Sequence, residues 1–287
     1  LHLARRTMMT LSLDVAGVDR QHRNGDGAQA EIDRLYRIMD RLARASTVSH
    51  ATGDRAAIIA DGDRALAEFE EEFYAASRSR RRNLLAQCER GEVDEADLPR
   101  DVLTTLLRNQ DRLDLPAETV LREVAYFPWV GSHSTSNQFV HAMHHIFTWL
   151  AEHPDHPVAN RATLENDEML RQRFVHESLR LHPASPVSLR RALADITLRS
   201  GTLLPAGETV AVSLNDANKD PEVFGSDAAS FQPFRSLPEG VAPWGLTFGH
   251  GLHACLGQEL AGGIEAEPDG PDSAMHHLLG AIAVMAG

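Results

Sequence analysis

One stretch constrains this chain more than any other. From Leu115-Pro116-Ala117-Glu118 a helical pattern runs on to about residue 150, with proline in the first turn, where its missing N–H costs nothing. Val120, Leu121, Val124, Ala125, Phe127, Val130, Phe139, Ala142, Ile146, Phe147 and Leu150 leave little polar face. A helix apolar nearly all round belongs in the middle of a sizeable domain. Inside it lies a polar interruption, Gly131-Ser132-His133-Ser134-Thr135-Ser136, and His153-Pro154 follows its end.

The rest of the first half is helical too. Leu3 to Val15 reads as a helix closed by the turn Ala16-Gly17-Val18-Asp19. Asn24-Gly25-Asp26-Gly27 reads as a loop, and Ala28 to Ala45 as a helix with Ile32, Leu35, Ile38, Met39 and Leu42 at helical spacing. Asp54 begins a long third helix, whose end carries Arg78, Arg80, Arg81 and Arg82. Basic residues suit a helix C-terminus, so this cluster reads as a solvated end. Leu98 to Asn109 and Leu164 to Leu181 are further helices. The pattern then changes: Asp195 to Leu198 and Thr209 to Leu214 alternate like strands, with Pro205-Ala206-Gly207 as a turn between them. Phe231 to Phe248 reads as irregular coil, and a last helix begins at Cys255. Many helices followed by a few short strands predict one mostly α (α+β) domain over residues 1–287.

Composition narrows the function. The chain has 287 residues, 28 basic against 41 acidic, and a net charge of −13. An acidic balance argues against nucleic acid as partner, because phosphates need a basic face. No run of about eighteen apolar residues offers a membrane segment. Two cysteines, Cys88 and Cys255, exclude a disulfide framework and point to a reducing, cytoplasmic setting.

The sharpest motif is Phe248-Gly249-His250-Gly251-Leu252-His253-Ala254-Cys255-Leu256-Gly257. Gly249 and Gly251 allow a tight loop, and a cysteine at a helix start is stabilised as thiolate, a soft ligand suited to haem iron. Plainer readings are a structural thiol, or zinc held by His250, His253 and Cys255, whose spacing fits no usual pair.

The segment resembles the haem-binding loop of the cytochrome P450 family, Phe-x-x-Gly-x-x-x-Cys-x-Gly, with Phe248, Gly251, Cys255 and Gly257 in place. The resemblance makes Cys255 the axial ligand of haem b, puts Phe248 beside its sulfur, Gly249 in the loop, Gly257 where the macrocycle approaches, and His253 on a haem propionate. Glu177-Ser178-Leu179-Arg180 is similar to the family's Glu-x-x-Arg helix, and Phe231-Gln232-Pro233-Phe234-Arg235 to its Phe-x-Pro-x-Arg segment. Glu177, Arg180 and Arg235 are then a structural trio. Arg190, with Arg191 as fallback, takes the place of a propionate-binding arginine just before a strand.

The central helix departs from the pattern. Where the family shows Ala-Gly-x-Asp/Glu-Thr, this chain has Val130-Gly131-Ser132-His133-Ser134-Thr135. His133 stands for the acid, and Ser134, with Thr135 beside it, for the threonine. Histidine titrates near neutrality and suits a proton relay. His141 and His145, four apart, read as packing residues. The chain opens without Met inside a helical pattern, and the family's N-terminal portion and closing sheet have no counterpart, so a P450-like fold with small sheets, partial at both ends, is expected. The resemblance implies a monooxygenase acting on a small apolar substrate, with electrons from a ferredoxin, a flavodoxin or a reductase. A peroxide-using or isomerising haem-thiolate enzyme, and a truncated pseudoenzyme or haem-binding protein without turnover, are the alternatives.

Overall fold

A computed structural model describes residues 2–22, 24–264 and 278–287. They form a mostly helical chain with three small antiparallel two-stranded sheets. Among them, no helix is long and apolar enough to cross a membrane. The chain divides into two compact units, Leu1–Ser136 and Asn137–Gly287.

In the first unit, α1 (His2–Ala16) and α2 (Gly25–Ser46) appear where the helical spacing predicts them. The loop expected at 24–27 is shorter, because α2 already begins at Gly25. Asp54 accepts from the N–H groups of Ala56 and Ala57 and so starts α3 (Arg55–Phe69). A five-residue π segment, Glu70–Tyr74, carries the chain without a break into α4 (Ala75–Glu89). The predicted third helix thus runs past its arginines, and the solvated-end reading fails at Arg81. That side chain is buried and donates to Asp19 at 2.6 Å and Asp101 at 2.9 Å. The helix expected from Leu98 starts only at α5 (Val102–Asn109), where Asp101 caps the Thr104 N–H at 2.7 Å. α6 (Ala117–Glu152) continues through Pro128 and through the polar interruption. The core is built from Met9 and Leu13 of α1, Leu35, Ile38 and Met39 of α2, Phe69 of α3, Leu103 of α5 and Val124 of α6. Two approaches depend on small residues. A Cβ on Gly62 would stand 2.3 Å from that of Ala45, and one on Gly131 would stand 2.6 Å from Ser12 Oγ. α6 is not buried on every side: Phe147 is 61% exposed.

In the second unit the predicted helix 164–181 is two. α7 (Arg161–Asn166) ends at Asp167, whose side chain caps α8 (Glu168–Leu181) by accepting from Leu170 N–H at 2.9 Å. β1 (Val187–Arg191) pairs with β4 (Thr209–Ser213), and β2 (Ile196–Thr197) with β3 (Leu203–Leu204). β1 and β3 were not legible in the sequence, and the strand expected at 195–198 shrinks to two residues. Short helices α9 (Leu214–Ala217) and α10 (Pro221–Phe224) lead into coil from Phe231 to Phe248, as expected. α11 (Gln258–Gly262), β5 (Gly263–Ile264), β6 (Leu278–Leu279) and α12 (Ala281–Ala286) close the unit. Its core joins Ile146, Trp149, Leu164 and Phe174 in one cluster, and Ala142, Val175, Leu179 and Ile282 in another.

Candidate functional site

Glu177 and Arg180 share one face of α8 at i and i+3, so their side chains meet. Arg180 Nε and Nη2 donate to the two Glu177 carboxylate oxygens, each at 2.7 Å. Arg235 Nε and Nη2 reach Glu177 Oε1 at 3.3 Å, and the Gln232 N–H donates to the same oxygen at 3.0 Å. Arg180 is wholly buried, and its remaining donors go to the carbonyls of Asn218 and, at 2.8 Å, Ala228. Arg235 has a second carboxylate, Asp227, at 2.6 Å, and this guanidinium holds the Asp227 pKa below its usual value.

Sequence reasoning missed a residue that completes this network. Asn218 is fully buried and donates to Arg180 O and Thr247 Oγ1, while its own Oδ1 accepts the Leu246 N–H. Thr247 Oγ1 donates to Leu179 O at 2.7 Å. These bonds fasten the coil before Phe248 to α8. Nothing in the local pattern around Asn218 signals this, because its partners lie about thirty or more positions away along the chain.

The loop after Phe248 follows from that anchor. Gly249 and Gly251 have φ of +73° and +70°, a region L side chains rarely adopt. A 3-10 turn, Gly251–His253, lets the Cys255 N–H return to Phe248 O at 2.7 Å. Phe248 itself packs edge-on against Trp244, with ring centres 5.4 Å apart. The helix expected to begin at Cys255 begins at Gln258 instead, with Gly257 as its N-cap. The cysteine therefore lies ahead of the helix rather than in its first turn.

The Cys255 thiol is exposed, and so are Leu252 and Leu256, at 101% and 95%. Large apolar side chains fully in water beside a soft donor mark a surface that something apolar covers. A Cβ on Gly257 would stand 3.9 Å from the sulfur, in ordinary van der Waals contact with it. His253 is exposed, with no hydrogen bond to its ring among the described residues. Arg190 and Arg191 are exposed; they close β1, a strand the sequence did not show, and still precede β2, the strand expected from Asp195. Among the described residues Arg190 donates only to Ser188 Oγ and Leu189 O and meets no carboxylate. A soft sulfur donor, apolar flanks, and a guanidinium and imidazole without carboxylate partners among the described residues are groups suited to a flat macrocycle with carboxylate arms. The residues present fit haem.

On α6, His133 Nδ1 lies 3.1 Å from Trp129 O. A carbonyl only accepts, so Nδ1 carries the proton and Nε2 is the ring's open nitrogen. Ser134 donates to Val130 O at 2.9 Å. Thr135 is buried, and its hydroxyl has no partner among the described residues. The helix runs on through the interruption, and the hydroxyls of Ser132, Ser134 and Ser136 turn back onto its own carbonyls.

His141 stacks on His182, with ring centres 4.2 Å apart, and His145 stacks on Phe231 at 4.4 Å while its Nδ1 meets Ser178 Oγ at 2.9 Å. Burial, reinforced by neighbouring histidines, lowers the pKa of both His145 and His182 to about 4.

A family profile described as Cytochrome P450 matches residues 55–262. Cytochrome P450 monooxygenase 151 of Postia placenta is 30% identical over 212 residues, covering 63% of this chain and 41% of its own length. Cytochrome P450 monooxygenase PikC of Streptomyces venezuelae is 33% identical over 164 residues, covering 56% of this chain and 36% of its own. Among solved structures, CalO2 superposes with a TM-score of 0.61 at 21% identity, covering 96% of this chain and 64% of that one. The chain thus spans about two fifths of the length of these curated relatives.

Proposed function

This chain belongs to the cytochrome P450 family, and from that premise we propose that it is the haem-thiolate part of a monooxygenase that inserts one oxygen atom of dioxygen into a small apolar substrate. The observation that carries the reading is the Phe248–Gly257 loop, with its exposed thiol between exposed leucines. Cys255 is the axial ligand in this reading. Arg190 and His253 bind the propionates, with a planar guanidinium suited to a two-point carboxylate contact. Phe248, Gly249 and Gly257 shape the loop around the ligand, and Glu177, Arg180 and Arg235 hold the coil that presents it. Bound there, haem b supplies the iron chemistry that activates dioxygen.

The chain's own groups manage protons and water. His133 has its proton on Nδ1, directed at Trp129 O, so Nε2 is the atom that takes up a proton and passes it on. Ser134 spends its donor on Val130 O, which leaves the Thr135 hydroxyl as the alcohol free to donate. Electrons come from a ferredoxin- or flavodoxin-type protein or a reductase, in the cytoplasm. All residues 1–287 serve this one haem domain.

The absorption spectrum of the haem-loaded chain, reduced and treated with carbon monoxide, tests the assignment. A strongly red-shifted Soret band, lost in both Cys255→Ala and Cys255→His, supports it. A band at the position usual for histidine ligation, or one unmoved in Cys255→Ala, overturns it. His133 in place of the family's acid favours one second reading, a peroxide-driven or isomerising enzyme that needs no reductase. Product formed in proportion to NAD(P)H consumed rules that reading out.

A further inference from the structure

The turn after α1 brings distant charges together. Gly17 takes a φ of +84°, and the Val18 N–H returns to Leu13 O at 3.0 Å, which closes the helix. A Cβ at Gly17 would stand 2.6 Å from Asp101 Oδ1, so the turn takes only glycine. Asp19 and Arg20 follow directly. With Asp14 of α1, Arg81 of α4, and Arg100 and Asp101 ahead of α5, they line a cleft of about 270 Å³. That is below the size of sites for drug-sized molecules and leaves room for an ion.

The charges in this lining are unevenly matched. Asp19 is taken by Arg80 at 2.9 Å and by Arg81 at 2.6 Å, and Asp101 by Arg81 at 2.9 Å. The remaining acid, Asp14, has a side chain 57% exposed, and its oxygen stands 3.6 Å from Arg20 Nη2, beyond hydrogen-bond reach. The Arg20 side chain is only 13% exposed, and its Nε is enclosed with no partner. Arg100 is exposed and has no ion pair among the described residues. A guanidinium this far out of water with donors unspent is costly, and an anion that accepts from it removes the cost. Part of the arginine cluster at 78–82 thereby gains a role: Arg80 and Arg81 occupy two aspartates and leave Arg20 and Arg100 for a ligand.

We propose that this cleft binds a small tetrahedral oxyanion of the phosphate class between Arg20 and Arg100. The two guanidiniums come from different segments, one after α1 and one before α5. A tetrahedral anion offers oxygen pairs in more than one direction, whereas a planar carboxylate offers a single edge to a guanidinium fork. The site stands on residues of the first unit alone and does not rest on the haem reading.

Calorimetric titration of the whole chain with inorganic phosphate, sulfate and acetate, against a chloride background of equal ionic strength, tests it. Phosphate and sulfate are expected to bind at one site, and acetate at least about fivefold more weakly. Arg20→Gln and Arg100→Gln should each weaken phosphate binding about five- to tenfold; the second, at an exposed position, keeps the test open should the first fail to fold. Asp14→Asn removes a like charge and should tighten binding about two- to fivefold. Arg199→Gln, an exposed change in the second unit, should do neither. Phosphate should also raise the urea midpoint of the parent but not that of Arg20→Gln, whereas a general salt effect moves both alike. Phosphate binding no tighter than chloride, acetate as tight as phosphate, an affinity unmoved by Arg20→Gln or by Arg100→Gln, or weaker binding in Asp14→Asn would each overturn the proposal. None of these readings involves haem, so failure here is distinct from failure of the spectral test.

Discussion

Replacing Glu177 by Gln is the perturbation with the clearest arithmetic. The variant keeps shape and one acceptor but removes the charge that faces two guanidiniums. Glu177 and Arg180 side chains are 6% and 0% exposed, and Arg235 is 7% exposed. Arg235 retains Asp227. Among the described residues Arg180 retains only carbonyls as charge-free partners, so its charge is left buried with no carboxylate in contact. Breaking a buried pair from one side costs about 3–5 kcal/mol, a large share of a typical domain's stability of about 5–15 kcal/mol. Arg235→Gln should cost less, about 1–3 kcal/mol, because Arg180 still neutralises Glu177. Urea unfolding at 25 °C, followed by Trp149 and Trp244 fluorescence, reads both. The network argument fails if Glu177→Gln costs under about 1 kcal/mol, the value of a surface pair, or if Arg235→Gln costs more than Glu177→Gln.

Gly131→Ala should destabilise by about 1–3 kcal/mol through overpacking against Ser12 Oγ, 2.6 Å from the new methyl; Ser12→Ala in the same chain should recover most of it, and equal unfolding midpoints for single and double variants would refute the clash. Acid should weaken the chain through its stacked histidines. His145 and His182 have folded pKa values of about 4 against 6.5 when unfolded, from burial first, then for His145 from His182, His144 and His141, and for His182 from His141, Lys219 and His144. The unfolded chain therefore takes up protons first, so stability present above about pH 6.5 is lost as pH falls toward 4. Between pH 7 and 5 the loss is on the order of 1 kcal/mol per histidine, after discounting for partial exposure. Urea midpoints measured across that range should fall more steeply for the parent than for His145→Gln, and parallel curves would refute the assignment.

What could be read from the residues alone was whatever neighbours along the chain decide. Helical spacing placed α1, α2 and α6 within a few residues, because amphipathic periodicity is local. Asp54 announced α3 because a capping carboxylate acts on N–H groups two and three positions away. Glu177, Arg180, Arg235 and the cysteine loop were legible as short motifs, each a fixed spacing of residue types tied to one chemistry. Tertiary structure decided what distant segments impose. β4 alternates visibly in the sequence, but β1 exists because residues 187–191 meet 209–213, a pairing neither segment shows alone. Arg81 is buried because Asp19 and Asp101, from two other segments, neutralise it. Asn218 matters because α8 and the coil before Phe248 converge on its amide. The start of α11 three residues beyond Cys255, and the exposure of that thiol, follow from a loop closed by the Phe248 carbonyl and from what packs on it, and no local propensity encodes either.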